Sequence, residues 1–506
     1  MAVYGIDFGT CYSCIAVADS DKDIEVVPSS RNENTVPSVV MFNPDGRPVI
    51  GRAAKNAFTR PDPRNVVAYI KTMMHQEQTD AEYEVTRGER RQMSPVEVAS
   101  CIYYDMFSHA NLYRRGRQLH PATQAVITVP AVCTDIQREK TKIAAELAGI
   151  QVLKVISEPT AAAISYNISA GETVMIFDLG GGTLDVSIIH ANALNDYEVW
   201  SCEGNNELGG RQWDMTLLAL CYENLGLQYD PAGISTKQLV NMESFKIDLC
   251  ETGYADITFI DSDGIQRDTS VTLEEFQQNS EHLIREALQV VDEAIRNARA
   301  AHPEFVLDRV CLAGGSSKMP AIKKSLSRHM PDVRVDLCDP DQAIAKGAAR
   351  YANSLVGGNG NYDITIEERG HAYGILGSDS QNRKVVKNII RRSDPTVIDE
   401  RVFCQYMPNE SDRLHICIIE SNVGKNSFVY RGQTEFFSDD VKFPYVIPVG
   451  TQIDFRLSRD SDGLVHLSVS HNGDSQSFDF ATKVSGVSDL IRSRVQSHIS
   501  KMSNNQ

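Results

Sequence analysis

The chain has 506 residues, of which 50 are basic and 67 acidic, giving a formal net charge of −17, and 42% are hydrophobic. At ~100–200 residues per domain this suggests two to four domains, each with room for a core, and the composition is that of a globular protein. The acidic balance argues against a nucleic acid or an anionic membrane as main partner, because both call for a positive face.

The first residues, Met1 to Gly9, carry no basic run, long apolar stretch or cleavage site, so no secretory signal is expected. Nowhere do 18 apolar residues run together, and no transmembrane helix is expected. The 11 cysteines are scattered, which reads as reduced thiols in a cytoplasmic protein. Cys11 and Cys14 form a C-x-x-C, but no second ligand pair stands at zinc spacing. On a strand the two would point to opposite faces, so neither a zinc nor a redox site is expected there.

Short apolar runs at Val3–Ile6, Ala125–Val129, Val174–Phe177 and Val310–Ala313 predict buried strands ending in turns. Helical patterns lie between them. Thr134 and Gln137 form a capping box opening a helix to Ala148, with Ile136, Ile143, Ala144 and Leu147 on one face and Gly149 placed to end it. Leu283, Ala287, Leu288, Val291 and Ile295 make a second stripe, read as core. After Tyr351 the composition changes. Residues 356–362 are rich in Gly and Asn and read as a linker. From Asp363 onward short alternating strands take over. Ile453, Phe455 and Leu457 alternate with polar residues, a turn is expected at Asp460–Gly463, and Val465, Leu467 and Val469 alternate again before a hairpin signal at His471–Gly473. This predicts an all-β sandwich or partly open barrel. Val487–Met502 has helical spacing for at most a few turns, and Ser503–Gln506 is expected to fray. The expected division is 1–352, a linker at 353–362, a β domain at 363–485 and a short C-terminal helix and tail at 486–506.

An internal echo carries the functional signal. Asp7-Phe-Gly-Thr10 follows one apolar strand and Asp178-Leu-Gly-Gly-Gly-Thr183 follows another, which suggests two related halves facing a cleft. Glycines let backbone N–H groups reach phosphate oxygens, and threonine adds a hydroxyl. An aspartate repels phosphate, so it must act through a cation, most plausibly hydrated Mg²⁺. A third element, Leu312-Ala-Gly-Gly-Ser316, would let Gly314 and Gly315 lie flat against a nucleotide.

These three loops, in this order, resemble the superfamily of actin, sugar kinases and the seventy-kilodalton heat-shock chaperones. Ala125-Val-Ile-Thr-Val-Pro-Ala131, Gln137-Arg138, Ile156-Ser-Glu-Pro-Thr-Ala-Ala-Ala163, Leu208-Gly-Gly210 with Trp213-Asp214, and Asp339-Pro-Asp341 with Gly347-Ala-Ala349 resemble the heat shock protein 70 family. The resemblance covers residues 1 to about 350 closely and about 363 to 480 loosely. It implies a bilobed actin-like ATPase domain of duplicated ribonuclease-H-like halves, followed by a small β sandwich that binds peptide. By the same resemblance Gly9, Thr10, Cys11 and Tyr12 form one phosphate loop and Gly181, Gly182 and Thr183 the other. Glu243, Lys246 and Cys250 border the adenosine, with Gly210, Gly314, Gly315, Ser316, Lys318 and Asp341 completing the nucleotide site. Asp7 and Asp178 hold Mg²⁺ through water, and Asp185 helps seat K⁺. Lys71 is the catalytic lysine, Glu158 acts on the attacking water, and Asp178 and Thr183 join them. Pro130 and Arg138 relay nucleotide state. Taken alone, Lys71 would be a surface charge, Glu158 a helix-start residue before Pro159, and Pro130 a strand end.

The chain departs from the family pattern at four places. Cys11 stands for a threonine, and a thiol donates a weaker hydrogen bond. Cys250 stands for a serine and Lys318 for an arginine, which removes a flat stacking surface. The linker lacks its leucine run, and only about twenty residues follow the β domain, so the family's long helical lid is expected to be mostly missing. Three readings result: an ATP-driven polypeptide-binding chaperone, served by a J-domain co-chaperone and a nucleotide-exchange factor; a nucleotide-switched module for one dedicated protein partner; and, disfavoured by the β domain, an actin-like filament former or small-molecule kinase.

Overall fold

The computed structural model describes residues 2–20, 23–58, 65–74, 82–86, 89–131, 133–193, 197–205, 207–231, 234, 236–357, 372–378, 381, 383–391, 398–421, 427–431, 434–459, 465–471, 474–479 and 488–503. Residues 358–362 of the expected linker, the turn at 460–463, residues 472–473 of the hairpin signal and the tail 504–506 lie outside the described residues. The chain divides into two compact units. One comprises 1–131, 141–365 and 487–506, and the other 132–140 and 366–486.

The first unit is built on two mixed sheets. One contains β1 (Val3–Asp7), β2 (Tyr12–Ser20), β3 (Asp23–Val26), β4 (Gln124–Val129) and β5 (Gln151–Ser157) in the order β5-β4-β1-β2-β3, with Val36–Pro37 paired to β2. The other contains β6 (Thr173–Leu179), β7 (Leu184–Ala191), β8 (Tyr197–Asn205), β9 (Arg309–Ala313) and β10 (Arg334–Asp336) in the order β10-β9-β6-β7-β8. The two orders are the same. In each, the first strand runs antiparallel to the second and parallel to the fourth. The leading strands read as unbroken apolar runs because both faces are covered: every residue of β6 is buried, as is β1 up to Ile6. The echo noticed in the sequence is therefore an echo of topology.

Helices cover these sheets. α1 spans Pro95–Gly116, α2 Asp135–Leu147, α3 Glu158–Ser165, α4 Gly210–Asn224, α5 Thr236–Thr252, α6 Glu281–Ala301 and α7 Ala343–Leu355. The capping box expected for α2 is formed, with Thr134 Oγ1 accepting from the Gln137 N–H at 3.2 Å and Gln137 Oε1 accepting from the Thr134 N–H at 3.0 Å. The stripe on α6 buries Leu283, Ala287 and Val291, and Leu288 and Ile295 pack half-buried against the same core. α7 lies against both α3 and β1. A Cβ on Gly347 would stand 1.7 Å from the Ala161 carbonyl oxygen, so only glycine permits that approach.

The second unit contains two antiparallel sheets. The larger runs Ser427–Val429, Lys384–Ile390, Ala372–Ser378, Ser411–Ser421, Thr434–Ile447, and the smaller Ile398–Tyr406, Gln452–Arg459, Val465–His471, Asp474–Asp479. The alternation read from the sequence faces inward: Phe455 pairs with Val469 and Leu457 with Leu467, all buried with Tyr373, Ile416 and Ile418 in one core.

The C-terminal segment is more than the brief helical stretch expected. α8 (Asp489–Ser503) is 15 residues long and packs on α1 and the strand Pro48–Ile50 within the first unit. Val495 is fully buried, and Met502 joins the core beneath α1. His498 is seated between two oxygens: its Nε2 is 2.9 Å from Oε1 of the fully buried Glu97, and its Nδ1 is 2.9 Å from the Gly46 carbonyl. The Phe42 ring lies 5.2 Å away, and Arg494 approaches Glu97 at 3.8 Å. Sequence periodicity could not find this seat, because the partners stand 401 positions apart.

The seat is testable. His498→Ala takes one donor from buried Glu97, which keeps the Ser94 N–H and Arg494, so it should destabilise the protein by about 2 kcal/mol in urea unfolding, the cost of leaving a buried acceptor short of its partner. Leu490→Ala, at a position 59% exposed, should change stability by less than ~0.5 kcal/mol. Equal midpoints for the His498 variant and the parent would contradict a buried seat.

Candidate functional site

The sheet topology puts three loops together. Residues 8–11 join β1 to its antiparallel neighbour β2, and residues 180–183 join β6 to β7. The third loop leaves β9, which lies parallel beside β6 with Ala313 opposite Asp178. Gly314 takes φ 77°, and a Cβ there would stand 2.4 Å from Asp178 Oδ1, so this position requires glycine on both counts. Its N–H donates to the Pro340 carbonyl at 2.9 Å, which ties the 339–341 segment to the loop. The second loop is fixed to the start of α4: the N–H groups of Gly210 and Arg211 donate to the carbonyls of Gly180 and Gly181 at 2.9 and 2.8 Å.

A cavity of ≈ 420 Å³ opens between these loops, within the ~300–1,000 Å³ usual for small-molecule sites. Asp7, Gly9, Thr10, Cys11, Tyr12, Lys71, Glu158, Asp178, Gly181 and Thr183 line one part of it. Glu243, Lys246, Cys250, Gly314, Gly315, Ser316, Lys318 and Asp341 line the rest. Three of the expected residues stand behind this wall. Gly182 is packed against Gly209, and Gly210 lies against Ser316. Asp185 sits on β7 directly opposite Asp178. Thr35, Arg52, Ile247, Met319 and Ile344 also line the cavity, and no sequence motif marks them.

The electrostatics centre on four carboxylates and one ammonium. Lys71 is paired with Glu158, and both side chains are nearly buried. Lys71 stands on a 3₁₀ turn, Ile70–Met73, and Glu158 opens α3, whose N-cap Ser157 accepts from Thr160. Burial works against the lysine's charge, but Glu158 and Asp7 beside it push its pKa above the ordinary value. Burial, then the Glu158 charge, raises Asp7 to about 7 and Asp185 to about 7. Burial, then Glu158, Asp185 and Asp7, raises Asp178 well above the carboxylate range. One ammonium among four buried acids leaves the cluster short of positive charge.

This chemistry fits a hard cation. The donors are all oxygen, and Asp185 Oδ1 is buried with no hydrogen-bond partner among the described residues. All-oxygen donors of this kind suit a hard ion that keeps most of its waters, as Mg²⁺ does.

Ion pairs rim the cavity. Lys55, on the short helix Arg52–Ala57, contacts Glu243 on α5 at 2.5 Å and donates to the Tyr12 hydroxyl at 2.8 Å. Lys246 contacts Asp214 at 2.8 Å and donates to the Gly210 carbonyl at 2.9 Å. Lys318 contacts Asp341 at 2.8 Å. The Cys11 side chain lies on Gly181, whose added Cβ would meet the sulfur at 2.1 Å. Burial, with Glu243 and Asp214 nearby, pushes the Cys11 thiol up to about 12. Cys14 is buried on β2 with its thiol 3.4 Å from the Asn34 carbonyl, and both cysteines are free. No disulfide joins the C-x-x-C.

A pH dependence is expected from the raised carboxylates. Their folded-state pKa values exceed the unfolded ones, so the native state binds the extra protons and stability falls as pH rises. The melting temperature of the ligand-free protein should therefore drop between about pH 5 and about pH 8. Asp185→Asn should flatten that slope, and a slope unaltered by the substitution would contradict the assignment.

A family model described as Hsp70 protein matches residues 3–477. Among curated proteins, a ribosome-associated molecular chaperone of Zygosaccharomyces rouxii is 30% identical over 462 residues, covering 81% of this chain and 72% of that protein. The chaperone protein DnaK 3 of a Synechococcus species is 33% identical over 393 residues, 70% of this chain and 58% of the relative. The ribosome-associated molecular chaperone of Eremothecium gossypii is 33% identical over 389 residues, covering 70% of this chain and 62% of its own length. The chain thus spans less than two thirds of two of these three relatives. Among the described residues no helix is long and apolar enough to cross a membrane. With a family model covering most of its length, and the glycine loops and carboxylates meeting in one cavity, the chain belongs to the Hsp70 protein family.

Proposed function

We propose that the chain is an ATP-dependent molecular chaperone. Its first unit binds and hydrolyses Mg-ATP, its β unit binds unfolded polypeptide segments, and nucleotide state controls capture and release. The observation that carries this reading is the convergence on one cavity of both Asp-x-Gly loops, the third glycine loop and the Lys71–Glu158 pair. The repeated sheet order supports a bilobed, actin-like body of duplicated ribonuclease-H-like halves. We assign that body to residues 1–352 together with α8, less 132–140, which group with the β unit; the linker follows the end of α7 at Leu355, and polypeptide binding falls to 363–485. The relatives' names, which include "molecular chaperone" and "chaperone protein", point the same way.

In this reading the backbone N–H groups of residues 9–12 and 181–183 hold the phosphates. Glu243, Lys246 and Cys250 border the adenosine, with Gly314, Gly315, Ser316, Lys318 and Asp341 opposite and Gly210 behind. Hydrolysis spreads charge over the γ-phosphoryl oxygens, and the Lys71 ammonium stabilises it where water is excluded. Glu158, held by Lys71, orients the attacking water and accepts its proton. Thr183 and Asp178 flank the same phosphoryl group. Asp7 and Asp178 would hold Mg²⁺ through its waters, and Asp185 K⁺; the cations supply neutralisation of phosphate charge. Pro130 and Arg138 carry nucleotide state onward. A J-domain co-chaperone, an exchange factor and a cytoplasmic setting complete the proposal.

Single-turnover ATP hydrolysis, with and without excess unfolded polypeptide, tests it. Hydrolysis should be stimulated by polypeptide, and Lys71→Ala should lower the rate roughly 10²–10³-fold, as expected for a group that stabilises transition-state charge. Turnover unmoved by polypeptide would favour a nucleotide switch for a dedicated partner, the reading that a linker without a leucine run favours. No turnover at all would sink the enzyme assignment.

A further inference from the structure

Tyr69 precedes the turn that carries Lys71 and is one of few non-glycine residues with positive φ, at φ 57° and ψ 28°. A side-chain residue in that region is strained and persists only where its surroundings over-determine it. Here the backbone is held from within, since the Tyr69 carbonyl accepts from the Thr72 N–H at 3.1 Å and the Thr72 hydroxyl at 2.8 Å. The half-buried Tyr69 ring in turn meets a guanidinium: Arg211 stands 5.4 Å from its centroid. Arg211 lies in the first turn of α4, and its N–H donates to Gly181 of the second phosphate loop at 2.8 Å. Burial, with Cys11 and Asp214 contributing, raises the Tyr69 phenol above its ordinary value.

We propose that Tyr69 and Arg211 are positioning residues that latch the Lys71 turn to the second phosphate loop across the nucleotide cleft. The latch rests on the nucleotide reading above and deepens it. The path is continuous: Lys71 is two residues from the strained Tyr69, the ring bears Arg211, and the Arg211 backbone holds Gly181. A guanidinium over a ring is attracted by the ring quadrupole without needing a hydrogen bond, so the contact tolerates small sliding as nucleotide enters. Lys55 with Glu243 and Tyr12 forms a separate crossing between the 52–57 helix and α5. Tyr69 and Arg211 differ in that their contact ends on the catalytic turn itself. Neither residue lines the cavity, so their effect reaches the reaction through where Lys71 sits.

The test uses the full chain and two readouts: single-turnover hydrolysis and the release rate of a fluorescent ADP analogue. Tyr69→Ala and Arg211→Gln should each slow hydrolysis and speed release by about two- to fivefold, the size of an exposed cation–π contact. The double variant should be no worse than either single one. Tyr69→Phe keeps the ring and Arg211→Lys keeps the charge, so both should stay within about twofold of the parent. If Tyr69→Ala fails to fold, Arg211→Gln against Arg211→Lys decides alone. Additive losses in the double variant, or an Arg211→Lys as impaired as Arg211→Gln, would overturn the latch. Turnover in the parent with unresponsive variants would overturn the latch and leave the hydrolysis reading intact. Altered release without any turnover would remove hydrolysis and keep the latch, whereas a parent that binds no nucleotide would remove both.

Discussion

Four carboxylates and one ammonium buried at the ends of two matched sheets are the constraint around which the rest is arranged. Asp7 and Asp178 occupy equivalent ends of β1 and β6, Asp185 sits opposite Asp178 on β7, and Glu158 opens α3. Like charges this close, out of water, repel strongly, and among the described residues Lys71 offsets them. Such an arrangement makes a poor core. On the function proposed above, a cation with phosphate groups, or protons in their absence, would relieve it. The glycine loops follow from the same need: Gly314 must lack a side chain because the Asp178 carboxylate stands where its Cβ would go.

The chain's own substitutions fall on the walls of this cavity, and the structure shows what replaces the usual contacts. Cys11 packs against Gly181 with its thiol kept protonated by burial, so it acts as a small apolar spacer between the 8–11 and 180–183 loops. Lys318 is turned to Asp341, and its ammonium makes an ion pair where a guanidinium would offer a flat face. Cys250 lies along the same wall. On the same cavity rim Lys55 and Lys246 are kept in place by Glu243 and Asp214.

Much of this was legible in the sequence because it is local. Buried strands announce themselves as apolar runs, the cap of α2 as Thr134 and Gln137, and the phosphate loops as glycines after strands. The alternation at Ile453–Leu457 and Val465–Val469 gave the paired inner faces of the smaller β sheet. What was missed is non-local. His498 with Glu97, Tyr69 with Arg211 and Lys55 with Glu243 join residues far apart in sequence and of types common on any surface. No periodicity or spacing links them, and α8 looked like a brief tail because its apolar positions are few. The positions of Gly182 and Asp185 behind the cavity wall likewise follow from strand register rather than motif.

On the proposed function, a cation and phosphates displace the protons that the carboxylate cluster holds. Calorimetric titration of Mg-ADP into the protein near neutral pH, in buffers of differing ionisation enthalpy, measures that exchange directly. With Asp7 and Asp185 both raised to about 7, binding should release on the order of one proton, and Asp185→Asn should reduce the count. Binding with no proton release, or with uptake, would contradict it.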